Sequence, residues 1–316
     1  MGKHFLHKHH LDDLFGVQLV KLGFIIKKTL SKLNITDRFY EGNSKHYHYP
    51  KKVLWNIQTM QGIKVETLQY KNQNPKHCLL QLHGGAYLYD FNDNYRDMAH
   101  KYIKIHPEFK VVSPYYSLAP KYPFPKALNE VFSIYKKLLE EYKAENIIFT
   151  GDSAGGGLVL ALAYEIKDQG LPLPKAIITM SAWTDFAAEG DSYKYNMHKD
   201  IFFRVGDTKL DKLAYAGNYS YKHDKVSPKY GDYNKLPNLL MFVGGDELIK
   251  SDTLAIGLKH PNAIVHEFAR MFHVFPLGFK VMSSSRKAWE IIEEYLNKQF
   301  SEEKNNGKNK NESRLV

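Results

Sequence analysis

The chain has 316 residues, a formal net charge of +10, 43% hydrophobic and 25% charged residues, the make-up of a globular protein with room for one large α/β domain. Its single cysteine, Cys78, excludes an internal disulfide framework and suits a reducing, cytoplasmic setting. No run approaches the ~18 apolar residues of a membrane span, no signal-peptide pattern opens the chain, and the lysines are mixed with acids without a nucleic-acid-binding module, so the charge reads as a solubility feature.

Residues 11–33 space Leu11, Leu14, Phe15, Leu19, Leu22, Ile25, Ile26 and Leu30 as an amphipathic helix. It is expected to pack on the same protein, with a lid over a pocket or a membrane-surface helix as the alternatives. Residues 53–59 and 65–70 alternate as two antiparallel strands around the turn Gln61-Gly62. A buried strand at 78–82, in which Cys78 is a small core residue, runs into His83-Gly84-Gly85-Ala86-Tyr87. Glycines directly after a buried strand let backbone N–H groups point into a cavity. A strand at 111–115, then Tyr116-Ser117-Leu118-Ala119-Pro120, leads to a helix traced by Leu128, Val131, Tyr135 and Leu138.

Asn146 to Thr150 reads as a buried strand and Leu158 to Ile166 as a buried helix, with Gly151-Asp152-Ser153-Ala154-Gly155 between them. Strand, Gly-x-Ser-x-Gly, helix is the setting of a nucleophile elbow: the tight reversal lifts the hydroxyl clear of the sheet, and the helix N-terminus favours developing negative charge. A strand at 176–180 follows, and 186–235 then breaks the strand–helix rhythm with an aromatic-rich stretch read as an inserted cap. Strands at 239–244 and 263–268, a terminal helix through Trp289 and Leu296, and a disordered tail over 301–316 complete the reading. The alternation implies a mostly parallel sheet covered by helices on both faces, with functional groups beyond the strand C-termini.

A serine needs a base to take its proton, and the base needs an acid to hold its tautomer. Asp246 competes with Glu247 and Asp252 as the acid. It is preferred because it lies immediately past its strand. His273, after the last strand, is preferred as base over His260 and His266. No histidine, cysteine and carboxylate cluster shows metal-ligand spacing, so neither metal nor cofactor is expected.

Taken together, His83-Gly84-Gly85-Ala86, Tyr116-Ser117-Leu118-Ala119-Pro120 with Phe124-Pro125, Gly151-Asp152-Ser153-Ala154-Gly155-Gly156, Gly244-Gly245-Asp246-Glu247-Leu248 and Phe272-His273 resemble the hormone-sensitive-lipase-like esterases of the α/β-hydrolase fold over roughly residues 75–298. The resemblance implies Ser153 as nucleophile, His273 as base then acid and Asp246 as orienting carboxylate. It implies an oxyanion hole from the Gly84, Gly85, Ala86 and Ala154 region, and the loss of a family ion pair where Ser117 and Lys121 stand. It also implies a cap from N-terminal helices (1–45) and the 186–235 insertion over a catalytic domain at 46–300. The expected activity is hydrolysis of small, short-chain acyl esters through an acyl-enzyme. An amide or N-acyl hydrolase and a non-catalytic ligand-binding relative are the alternatives. Monomer and homodimer are left open.

Overall fold

Apolar runs bounded by turns form the strands, and their pairing is seen in a computed structural model that describes residues 2–31, 47–203, 214–278 and 282–312. The strands are β1 (Lys3–His7), β2 (Val53–Met60), β3 (Ile63–Tyr70), β4 (His77–Leu82), β5 (Phe109–Pro114), β6 (Ile147–Asp152), β7 (Ala176–Met180), β8 (Asn238–Gly244) and β9 (Ala263–Phe268). They make one nine-stranded sheet in the order β1-β9-β8-β7-β6-β4-β5-β3-β2. Only β3 runs against the others, pairing antiparallel with both β2 and β5. The expected mostly parallel α/β sheet is therefore present. Its strand order reverses at β4, which pairs with both β5 and β6, and in such sheets ligands bind beyond the strand C-termini at the reversal.

Because strand side chains alternate, successive residues of β4 and β6 feed two separate cores. Leu80, Leu82, Ile147 and Phe149 pack under α3 (Lys126–Glu141) and α4 (Ser153–Asp168). Leu79 and Ile148 face the other way, toward α2 (Asp93–Ile105) and α7 (Ser283–Glu312), where Met98, Tyr102, Trp289, Ile292 and Leu296 cover them. Each fully buried side chain of this kind contributes about 1.5–3 kcal/mol. Cys78 lies in the first core, and burial pushes its thiol up to about 12, in keeping with a packing residue. Two shorter helices, α5 (Ser192–Tyr195) and α6 (Lys250–Lys259), flank β8.

Two expectations are corrected here. Residues 3–7, taken as part of an N-terminal cap of helices, instead add β1 in parallel to β9. Five residues with three histidine or lysine side chains show no period that would announce a strand, and β1 is held by its ladder, by Phe5 stacked on His266 and by the 2.8 Å contact of His7 Nε2 with His266 Nδ1. The amphipathic helix is α1 (Leu11–Ser31), and its first turns dock on α7: Asp13 Oδ1 and Oδ2 accept from the N–H (2.9 Å) and hydroxyl (2.7 Å) of Ser284, and Asp12 accepts from Ser283. Two carboxylates at the N-terminus of α7 satisfy orphan N–H groups and complement the helix dipole. The remainder of the 1–45 stretch, from residue 32, lies outside the described residues. Finally, α7 continues to Glu312 through the stretch expected to be a disordered tail, and 313–316 lie outside the described residues.

Among the described residues no helix is long and apolar enough to cross a membrane. Asp13 is fully buried and also accepts the His10 N–H at 2.8 Å. Asp13→Ala should therefore cost about 1–2 kcal/mol of stability. Urea unfolding checks this, and an unchanged midpoint would show that α1 docks without the cap.

Candidate active site

Ser153 sits where β6 turns into α4, at φ 49°, a left-handed conformation that a serine adopts only under constraint. The reversal forces close backbone approach on both sides: a Cβ on Gly155 would stand 2.1 Å from the Leu82 carbonyl oxygen and 2.4 Å from that of His83. Only glycine fits there, so the Gly-x-Ser-x-Gly spacing is a packing requirement of the elbow against β4.

His273, in the loop after β9, places Nε2 2.9 Å from Ser153 Oγ and Nδ1 2.9 Å from Glu247 Oε2. A carboxylate accepts only, so Nδ1 carries the proton and Nε2 is left to accept from the serine hydroxyl. The three side chains are buried, Glu247 completely. The carboxylate on His273 is thus Glu247 and not the expected Asp246. After β8 the chain tightens, with the Glu247 N–H directed to the Gly244 carbonyl at 3.3 Å, and the Glu247 side chain folds back so that Oε1 accepts the Gly244 N–H. The neighbouring Asp246 instead faces Lys199, Arg270, Lys21 and Lys250. Partial burial raises its pKa while these charges pull it back.

Sequence reasoning missed the shell that holds Glu247. Ser181, after β7 at φ 51°, donates to Glu247 Oε1 at 2.6 Å and accepts the Val274 N–H at 2.9 Å, joining the acid to the histidine loop. Asn196 Nδ2 donates to the carbonyls of Gly245 (3.0 Å) and Glu247 (2.8 Å), and Asp200 accepts the Leu248 N–H at 2.6 Å. Burial raises the Glu247 pKa, opposed by the bond and charge of His273 and by the Ser181 and Gly244 bonds. Asn196 and Asp200 carry no local motif that would have singled them out. Asp252, the third acid considered, is buried elsewhere with its Oδ2 on the Thr184 N–H and the Tyr193 hydroxyl. His266 lies in β9 beside His7, and His260 caps α6.

The glycine loop after β4 divides into two roles. The Gly84 N–H is spent internally, on the Tyr95 hydroxyl (2.9 Å) and on Asp152 Oδ1 (3.1 Å), so Gly84 does not offer the donor expected of it. A Cβ there would also lie 2.4 Å from Asp152 Oδ2. No described group accepts from the N–H of Gly85 or Ala86, which adjoin the elbow with the first-turn N–H of Ala154. Ala86 lies at φ +54°, followed by Tyr87 at +60°. Strain of this kind, of order 1 kcal/mol per residue, is held by packing: the Tyr87 ring stacks on Tyr215 at 3.5 Å, and its carbonyl accepts the Ala119 N–H at 2.9 Å. His83 stacks on Tyr116 and is neutral, with burial lowering its pKa to about 4. Ser117 gives both its N–H (2.6 Å) and its hydroxyl (2.7 Å) to Glu130 of α3.

Parts of the 186–235 stretch reach this site. Phe203 meets the His273 ring edge-on at 4.6 Å, Phe202 lies at 6.1 Å, and Tyr215 covers Tyr87; residues 204–213 lie outside the described residues.

Asp152, buried beneath the serine, has its pKa raised to about 6, chiefly by burial and against the opposing pull of His273, Tyr95 and Gly84. A raised carboxyl pKa in the folded state means that its contribution to stability is full below the unfolded value and is lost as pH rises through the folded one. Relative to the parent, Asp152→Asn should therefore gain stability between about pH 4 and pH 7. Thermal unfolding across that range checks it, and a pH-independent difference would contradict the assignment.

A family model described as the α/β-hydrolase fold matches residues 79–277. An acetyl-hydrolase of Streptomyces hygroscopicus is 31% identical over 223 residues, covering 69% of this chain and 74% of that one. An esterase of Acinetobacter venetianus is 29% identical over 67% of this chain and 70% of its own. The crystal structure of an esterase from the bacterial hormone-sensitive lipase family superposes with a TM-score of 0.77 at 28% identity, over 84% of this chain and 91% of that one. With the elbow, the glycine loop and the histidine loop at the C-terminal edge of one parallel sheet, the chain belongs to the α/β-hydrolase family, in its hormone-sensitive-lipase-like esterase branch.

Proposed function

We propose that this protein is a serine carboxylesterase that hydrolyses short-chain esters through an acyl-enzyme, with Ser153, His273 and Glu247 as its triad. The observation that carries the reading is the continuous chain of two 2.9 Å contacts, Ser153 to His273 to Glu247. As Ser153 Oγ attacks the ester carbonyl, His273 Nε2 takes its proton, and Glu247 stabilises the imidazolium without becoming protonated. The N–H groups of Gly85, Ala86 and Ala154 receive the charge on the carbonyl oxygen, where one such donor is worth about 10²–10³ in rate. The imidazolium protonates the departing alkoxide. Water, deprotonated by the same imidazole, then releases the acid and restores Ser153. The small acyl group is supported by the rigid aromatic rings of Phe202 and Phe203 against His273, which limit the room for a long chain. The single buried cysteine suits action in the cytoplasm.

Ser153→Ala should lower kcat on the order of 10⁶-fold while leaving the unfolding midpoint in place. Glu247→Gln should lose about 10⁴-fold, as expected when the imidazole is held in the wrong tautomer, whereas Asp246→Asn should stay within about tenfold of the parent. Steady-state kinetics on p-nitrophenyl butyrate decides between the two acids, and the reverse order would move the acid back to Asp246. On the same assay butyrate esters should be turned over faster than palmitate esters, below and above micelle formation. Interfacial preference for palmitate would instead indicate a lipase with an open acyl site.

A further inference from the structure

Three metal-ligating side chains meet at the end of the sheet away from Ser153. His77 opens β4, His106 ends α2 and Glu108 lies in the turn into β5, and one donor atom from each falls within 4.8 Å of the other two. Along the chain only the His106-x-Glu108 pair is visible, because His77 is brought in by the parallel pairing of β4 with β5. The strands run about 3.3 Å per residue, so this cluster lies roughly 20 Å from the serine elbow.

The scaffold around the cluster is fixed. The N–H groups of Lys76 and His77 both donate to the Glu108 carbonyl, at 3.1 and 3.2 Å, and the Phe109 N–H donates to the His106 carbonyl at 3.0 Å. The two imidazoles are buried, with ring centroids 5.3 Å apart, and Phe300 of α7 packs 3.8 Å from one and 5.3 Å from the other. Glu108 is reached from solvent, its side chain 28% exposed, and is paired with the Lys76 ammonium, itself 68% exposed. Glu108 is held ionised first by its bond to Lys76, then by that charge and by the nearby His77 and His106.

We propose that His77, His106 and Glu108 bind a divalent transition-metal ion that staples β4, α2 and β5 together. Two imidazoles with one carboxylate favour zinc over magnesium or calcium, which take all-oxygen shells. A tetrahedral zinc ion holds its ligands about 3.4 Å apart, so small rotations of the three side chains close the site, and water supplies the fourth ligand. As the ion arrives, the lysine at position 76 swings off the carboxylate into solvent. The site is structural. It stabilises the non-catalytic end of the sheet and touches no group around Ser153.

The test uses the full chain, stripped with chelator and titrated with Co²⁺, whose visible absorption intensifies in a four-coordinate site. One equivalent should bind with that spectrum, zinc should displace it, and zinc should raise the thermal midpoint while leaving the rate of p-nitrophenyl butyrate hydrolysis unchanged. His106→Gln and Glu108→Gln should each weaken Co²⁺ binding at least about tenfold. Glu108→Gln alters a partly exposed side chain, and its retained hydrolysis shows that it is folded. The N-terminal His4, His7, His9 and His10 are the competing ligands. Binding that survives both substitutions undiminished belongs to them and overturns the proposal, as does the absence of a four-coordinate spectrum.

Discussion

A serine at φ 49° persists only if everything around it leaves no easier conformation. Here that constraint comes from the backbone. The first turn of α4 presses on the end of β4 so closely that no side chain fits at Gly155, and the preceding residue, Asp152, is tied to the glycine loop through Gly84 and Tyr95. Tyr95 can reach because α2 is pinned one residue further on: the fully buried Arg96 guanidinium makes two bonds to Glu66 of β3, at 2.9 and 3.1 Å. Elbow, glycine loop and sheet are thus one mechanical unit, and the N–H groups of Gly85 and Ala86, from which no described group accepts, are positioned by contacts that lie below them.

The second unit is electrostatic. Glu247 is a fully buried carboxylate, and an unpaired charge there would be costly. It is tolerated because Ser181, the Gly244 N–H and His273 all donate to it. Ser181 and Val274 then carry the position of the acid to the histidine loop. The two units meet at Ser153 and His273, at the C-terminal edge of the sheet. The opposite edge is built for packing, with histidine, phenylalanine and the ends of helices closing the layers.

Much of this was legible in the amino-acid order because it rests on short-range physics. The apolar runs of β4, β6, β7 and β8, the glycines of the elbow and the placement of Ser153 and His273 just past strand ends each follow from local pattern. The acid did not. Asp246 and Glu247 are adjacent in one tight turn, and position after a strand cannot tell which side chain folds back. The Gly244 N–H and Ser181, distant in sequence, make that choice. The role of Gly84 was misread for a similar reason, since a glycine that frees an N–H for a cavity and one that makes room for a buried carboxyl look alike in sequence. Strand β1 was missed because its stabilising partners lie in β9, with His266 259 residues along the chain from His7. The positive φ of Ala86 and Tyr87 likewise accompanies a tertiary contact, the Tyr87–Tyr215 stack, that no local pattern announces.

The central claim is that the His273 imidazole is held by Glu247. Proton NMR in water observes this bond directly, because a histidine Nδ1–H donated to a buried carboxylate resonates far downfield of other amide and ring protons. The account predicts one such resonance in the parent chain, retained in Asp246→Asn and lost in Glu247→Gln. A resonance that disappears with Asp246→Asn and survives Glu247→Gln would contradict it.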